Sequence, residues 1–487
     1  MTGGSTLSLV TLSGLSWTAL SSESLAEEFE IIREPLVVQP ILVYETPERK
    51  EMASWRPWGG IQTQQDADEE ISRIRGELEK LKSGADFPLE FLPVAGMRKE
   101  ADMEGIGGIK NADTLLIYAA GGGRDLYDAL HAKSKDMILF CRHKSGPVYL
   151  WYEIISPRFL RQRTDKLVLT GVDDDDVVID SQEEILWRLR SLCGLKSTLG
   201  AGIIAVGGPG GWGQPAGVIP PMVEEKFWLQ YHVLSYDDLG KLITEAREDR
   251  AVVRRSRQRA SEYLADPDIS LETEREFVDN AFLLEEIFRR VIKQNNCRAL
   301  TIRGCMRTIM PIAETSACLT LSLLNDAGYL AFCESDFVVI PAGLLLANIS
   351  GQPVFLNDPT YPHDGIITLA HCTAPRRMDG INREPARILT HFESDYGAAP
   401  KVEMHKDQVV TNIIPDFGVS HYLGLKGTIE DHPFMDICRS QIDVSFDTDS
   451  QTLARRMHGF HWMTGYGDYM KEFGYALKRT GIQFEQV

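Results

Sequence analysis

The eight cysteines contain no CxxC pair, the charged residues form no long Lys/Arg run, and no stretch of about 18 uninterrupted apolar residues occurs. Each absence excludes something. Without CxxC pairs, and with several cysteines inside apolar runs, neither a disulfide scaffold nor a thiolate zinc site is expected; buried reduced thiols in a cytoplasmic protein are. Without a long basic run to offset 70 acidic against 51 basic residues, the formal net charge is −19. Phosphate backbones are repelled by such a surface, so nucleic acid is not an expected partner. Without a bilayer-length apolar run, no membrane span is expected. A basic n-region is also missing ahead of the mildly apolar Ser5–Ser22, so residues 1–34 read as a leader that need not be ordered; export is expected only if the true start lies upstream.

What is present is ordinary globular composition, 43% hydrophobic and 25% charged over 487 residues, enough for two to four domains. Pro35–Tyr44 reads as an opening strand. Asp66–Lys82 reads as an amphipathic helix, because Ile71, Ile74, Leu78 and Leu81 recur at three and four residues. Leu115–Tyr118, the turn Gly121-Gly122-Gly123 and the strand-like Met137–Phe140 follow, a strand, glycine-turn, helix, strand order that predicts a parallel α/β domain over 35–147. The triple glycine lacks the GxGxxG spacing and a P-loop lysine, so it reads as a tight turn and no nucleotide is expected.

A second α/β domain is expected over 148–297, with strands at Leu167–Leu169 and Val177–Ile179. The run Asp173–Asp176 lacks the spacing of an EF-hand loop and reads as a solvated turn. Ile203–Val206 leads into Gly207-Gly208-Pro209-Gly210-Gly211-Trp212-Gly213, where glycines let backbone approach a ligand and Trp212 can stack on a sugar face. Tyr236–Leu264 is arginine-rich but interleaved with acids, so it predicts a solvated face or a subunit contact, and Ser270 is the expected N-cap of the next helix. A third domain is expected over 298–487.

Chemistry concentrates in that third region, where eight of the 11 histidines lie beyond residue 360. Glu334 and Asp336 follow the apolar Ala331-Phe332-Cys333, and Asn357-Asp358 follow the apolar Pro353–Leu356. Carboxylates at the ends of buried elements need pairing, hydrogen bonds or a cation. Two of these carboxylates with the imidazole of Gly459-Phe460-His461 make a set that suits an oxygen-loving divalent ion such as Mn²⁺ or Mg²⁺. Two carboxylates beside an ion can also move protons in opposite directions.

Over roughly 301–487 the chain resembles the L-fucose isomerase and L-arabinose isomerase superfamily, in particular its L-fucose isomerase-like branch. The likeness lies in Ala317–Asp336 (ACLTLSLLNDAGYLAFCESD), Gly351–Asp358 (GQPVFLND), Leu369–Cys372 (LAHC), Thr390–Gly397 (THFESDYG), Cys438–Gln441 (CRSQ) and Gly459–His461. It implies two Rossmann-like parallel-sheet domains followed by a C-terminal α+β domain, rich in β-strand, that carries the metal site. Mn²⁺, or Mg²⁺ or another divalent ion, would be held by Glu334, Asp358 and His461, with His458 an alternative third ligand. Glu334 and Asp358 would be catalytic, as base and acid of an aldose–ketose isomerase working through a cis-enediol. Asp336 would orient Glu334 or a neighbouring base, and His371, His391 and Trp212 would line the sugar. A homo-oligomer, trimer or hexamer, is implied as well. Phe332 and Ser335 depart from the family's usual residues, which bears on substrate shape and not on the ligands. The alternatives are a non-catalytic sugar-binding protein on the same fold and a related sugar epimerase.

Overall fold

In a computed structural model of the chain, the described residues are 7–20, 29–134, 136–149, 172 and 174–487. They divide into two compact units, Arg33–Cys193 and the combination of Met1–Ile32 with Gly194–Val487. The divisions expected at 147 and 297 fall elsewhere, and strand pairing gives the reason.

In the unit Arg33–Cys193, the strand Leu36–Val43 pairs in parallel with Thr114–Ala119, which pairs with Asp136–Cys141, which pairs with Val177–Ile179. Leu89–Phe91 and Ala95–Met97 pair with the other edge of Leu36–Val43. The order 2-1-3-4-5, all parallel, needs a crossover between each pair of neighbours and buries its central strands on both faces. Thr114–Ala119 is accordingly buried at every position. The crossover helix Gln64–Ser83 starts at a capping box between Thr63 and Asp66 and buries Ile74, Leu78 and Leu81. Val177–Ile179, assigned from the sequence to a second domain, is therefore the last strand of this first sheet. The candidate strand Leu167–Leu169 lies outside the described residues.

The remaining unit contains a second parallel sheet in the order Leu9–Thr11, Gln230–Leu234, Gly202–Val206, Ala299–Ile302, Leu330–Phe332. Two expectations are corrected here. Leu9–Thr11, within the supposed leader, is an edge strand in register with Tyr231–Val233. Ala299–Ile302 and Leu330–Phe332, supposed to open a third domain, belong to the same sheet as Gly202–Val206. The helices Tyr236–Glu248, Arg250–Leu264 and Arg275–Gln294 lie in the connection from Gln230–Leu234 to Ala299–Ile302, which flank Gly202–Val206 on either side.

The arginine-rich stretch is two helices separated at Asp249, whose carboxylate accepts the amides of Ala251 and Val252. Its arginines are not all solvated. Arg259 bonds Glu285 at 2.6 Å and Arg255 bonds Glu286, both acids being buried on the helix Arg275–Gln294. Ser270 does not cap that helix: Ile269–Leu271 is a short strand on Ala386–Ile388, and the helix starts after Glu274.

The C-terminal region closes into a six-stranded antiparallel barrel. Its strands run Val409–Pro415, Trp462–Tyr466, Phe355–Pro359, Ile366–His371, Ser440–Ser445, His421–Asp431 and back to Val409–Pro415. Closure leaves no free edge among these six strands. The helix Ile340–Ser350, buried along its whole length, carries the chain from the parallel sheet into the barrel. Among the described residues no helix is long and apolar enough to cross a membrane.

Candidate metal centre

Three loops meet at the carboxyl end of the second parallel sheet. They follow Gly202–Val206, Ala299–Ile302 and Leu330–Phe332, and the first two of these strands are where the chain reverses its direction across the sheet. In open parallel sheets this reversal leaves a crevice outside the strand ends. Gly207 has φ +78°, and a Cβ there would run into the Tyr236 ring, so this turn requires glycine.

Glu334 and Ser335 both adopt the left-handed conformation, with φ of 66° and 46°. Such residues cost about 1–3 kcal/mol each unless their surroundings hold them. Here the Ser335 amide donates to Thr301 Oγ1 at 3.1 Å and the Phe337 amide to the Gly210 carbonyl at 3.2 Å. The next turn is fixed by the Asp336 carbonyl, which accepts the amides of Val339 and Ile340 at 3.1 and 3.0 Å.

The barrel supplies the facing groups. Asp358 stands opposite Ala370 on one neighbouring strand, while on the other side Asn357 pairs with Trp462, which brings His461 level with Asp358. His371 ends the strand Ile366–His371.

These side chains converge. His461 Nε2 lies 3.2 Å from Asp358 Oδ1 and 3.4 Å from Glu334 Oε2, and His371 Nε2 lies 3.8 Å from Glu334 Oε1. One ligand atom each from Asp358, His371 and His461 fall within 4.8 Å of one another. The Glu334 and Asp358 side chains keep 36% and 33% exposure, so they face a cavity, whereas His461 and Asp336 are closed off at 0% and 1%.

The orientation of both imidazoles is fixed from behind. Asp336 Oδ2 takes His461 Nδ1 at 2.7 Å, while Asp336 Oδ1 accepts the amides of Trp212 and Val338 at 3.0 and 3.2 Å. His371 Nδ1 meets Thr373 Oγ1 at 3.0 Å. With each Nδ1 engaged, both Nε2 atoms aim at the carboxylates, the arrangement in which histidines ligate metal ions.

The donor set fits a divalent ion. Asp358 Oδ1 and His461 Nε2 are buried without a hydrogen-bond partner among the described residues, although they face each other. Burial works against the Glu334 anion, yet the two imidazoles outweigh it and hold its carboxyl far below the usual carboxylate range. Burial, helped by the Glu334 charge, raises Asp358. For both histidines burial opposes the charged form and the carboxylates prevail: His371 is raised, and Asp336, Glu334 and Asp358 push His461 up to about 10. Protons on the imidazoles thus neutralise a cluster whose charge and donor types equally suit a cation.

The cavity in front of these groups measures about 530 Å³, and Trp212, His391, Arg303 and Glu393 are among its lining residues. Trp212 stacks on Phe460, centroids 3.4 Å apart and planes 6° from parallel, and presents its edge to His461. His391 is anchored through Nδ1 to Ser394 Oγ at 3.0 Å. His458 instead packs its ring against His421, 5.6 Å between centroids, and belongs to neither ion-sized cluster.

Some of this escaped the sequence. His371 read as a sugar-lining group, and the structure brings it among the candidate ligands. Arg303 and Thr373 carried no signal by themselves. Gly208–Gly213 does have GxGxxG spacing, but the Trp212 amide is taken by Asp336 and the next helix starts only at Ile219, so the loop lacks the helix N-terminus that motif uses. Nor could spacing foresee that Cys305, Cys318, Cys333, Cys372 and Cys438, five of the eight cysteines, line one cavity. No protein-family model and no curated protein matches the sequence.

Proposed function

We propose that the protein is a metal-dependent aldose–ketose isomerase acting on an open-chain sugar. The observation that carries this reading is the convergence of Glu334, Asp358 and His461 at the cavity wall, with one imidazole nitrogen 3.2 and 3.4 Å from two solvent-accessible carboxylates. A bound divalent ion, Mn²⁺ or Mg²⁺, would polarise the sugar's carbonyl and make its α-proton more acidic. Glu334, Asp358 and His461 would hold it, with His371 within reach.

The rest is the work of this chain's own groups. Interconversion removes the proton from C2, moves a proton between O2 and O1, and returns one to C1, by way of a cis-enediol. Glu334 and Asp358 line the cavity from opposite elements, a loop and a barrel strand, so one can accept the carbon-bound proton while the other serves the oxygens. Their environments push them apart: Glu334 is held ionised by the imidazoles, and Asp358 is raised toward the protonated form. Asp336 does not touch the cavity and holds His461 in place. Trp212, with His391 across the cavity, offers an apolar face and a polar edge to the sugar. A cytoplasmic homo-oligomer, trimer or hexamer, belongs to the same reading.

The test is a screen of aldoses and ketoses, deoxy and sulfonated hexoses included, with added Mn²⁺ and product identification by NMR. Wild-type protein should interconvert at least one pair in a chelator-sensitive manner, and Glu334→Gln should lower turnover by about 10²–10⁴-fold. Full activity of Glu334→Gln on every sugar converted would overturn the reading.

A further inference from the structure

The two imidazoles do not share one oxygen of Glu334. His371 Nε2 faces Oε1 at 3.8 Å, and His461 Nε2 faces Oε2 at 3.4 Å. Two overlapping ion-sized clusters occur among the described residues, one of Asp358, His371 and His461, the other of Cys333, Glu334 and His371, each with its ligand atoms within 4.8 Å of one another and both including His371. The second contains a thiol. Cys333 and Glu334 follow the strand Leu330–Phe332 as neighbours in sequence and supply atoms to the same cluster. The backbone turns there, with a left-handed φ of 66° at Glu334.

We propose that the centre takes two ions, with the Glu334 carboxylate bridging them. The hard ion of the proposed function sits with Asp358 and His461, whose Nε2 also faces Glu334 Oε2, and a thiophilic ion of the Zn²⁺ class takes the shared His371 together with Cys333 Sγ and Glu334 Oε1. The bridging part of this inference rests on the metal-centre reading above. Ligand chemistry separates the positions: carboxylates with one imidazole suit Mn²⁺ or Mg²⁺, whereas a sulfur donor with an imidazole and a carboxylate selects zinc and its congeners. Thr373 presents His371 to its position as Asp336 presents His461. Three protein ligands leave room on the cavity side for water or a substrate oxygen, the open coordination of a reactive zinc site.

Cadmium is the probe, because its bond to a thiolate absorbs in the ultraviolet where Mn²⁺ is silent. Metal-free protein is titrated with Cd²⁺ with and without saturating Mn²⁺, and bound ions are counted per chain by elemental analysis. The expected result is a thiolate–cadmium band saturating at one Cd²⁺ per chain with Mn²⁺ retained. In Cys333→Ser the band is lost and Cd²⁺ affinity falls at least about tenfold, while the Mn²⁺-dependent thermal shift persists. Cys372→Ser, altering a neighbouring thiol of the same cavity, should leave the band intact. Persistence of the band in Cys333→Ser, or one-for-one displacement of Mn²⁺ by Cd²⁺, would overturn the proposal. Should Cys333→Ser fail to fold, Cys333→Ala carries the same expectation. Failure of Mn²⁺ to bind while the Cys333-dependent band remains would overturn the hard-ion reading and the bridge, and loss of the band alone would overturn the thiophilic position.

Discussion

Asp336 Oδ2 stands 2.7 Å from His461 Nδ1, and neither side chain is open to solvent. The other oxygen of Asp336 is occupied by two backbone amides, so the carboxylate has no freedom to turn. Removing its charge should therefore loosen His461 without touching the cavity. Asp336→Asn is expected to weaken Mn²⁺ binding by about 10–100-fold, measured calorimetrically, with the fold retained by circular dichroism. Unchanged affinity would mean that His461 needs no such support.

Trp212 acts twice, through different atoms. Its amide holds Asp336, and its ring stacks on Phe460 at the cavity wall. Trp212→Ala keeps the amide and deletes the ring. We expect KM for the converted sugar to rise about tenfold while Mn²⁺ affinity stays within about threefold of wild type. A parallel loss of both would tie the ring to the ion and not to the substrate.

Within Arg33–Cys193, Arg142 is fully buried against Glu70 and Glu77, at 2.6 and 2.7 Å, and Tyr149 shares the cluster. Deleting one partner of a buried ion pair strands the other charge. Arg142→Ala should destabilise this unit by about 3–5 kcal/mol in denaturant unfolding. A cost below about 1 kcal/mol would show that water reaches the acids.

Asp326 ends the buried helix Cys318–Asp326, and burial pushes its carboxyl up to about 6, although the Arg377 amide at 2.9 Å and nearby arginines pull it down. The folded state thus holds this proton more tightly than the unfolded chain does. Its contribution is fully present below the ordinary value of 3.8 and is lost as pH rises through about 6. Asp326→Asn should flatten the pH dependence of the melting temperature over that window, as read by calorimetry at a series of pH values.

How much was legible in the sequence depended on how local the determining interactions are. The stripe of Ile74, Leu78 and Leu81 and the capping box at Thr63 lie within one helix, and the helix forms where they point. The parallel strands announced themselves as short apolar runs between turns. Their partners did not: Val177–Ile179 and Ala299–Ile302 join sheets decided by crossovers of tens of residues, so domain boundaries drawn along the chain missed them. The site shows the same division. Glu334, Asp358 and His461 were singled out by motif resemblance; His461 lies against each carboxylate, while the ion-sized clusters among the described residues group Asp358 and Glu334 separately, each with His371. That His371 joins them and that Asp336 serves His461 follow from barrel register and a left-handed turn, neither of which leaves a mark on composition or periodicity.

The barrel strand Trp462–Tyr466 is inserted between Phe355–Pro359 and Val409–Pro415, both made earlier. Contacts this distant in sequence form late, because the loop between them must first be closed. His461 enters on that strand. A folding chain therefore carries Glu334 and Asp358 with His371 but without His461 until its last barrel strand slots in. An ion present from the outset would meet only part of its donors, and the final strand would lock behind it, so the same ion should slow unfolding far more than it speeds folding.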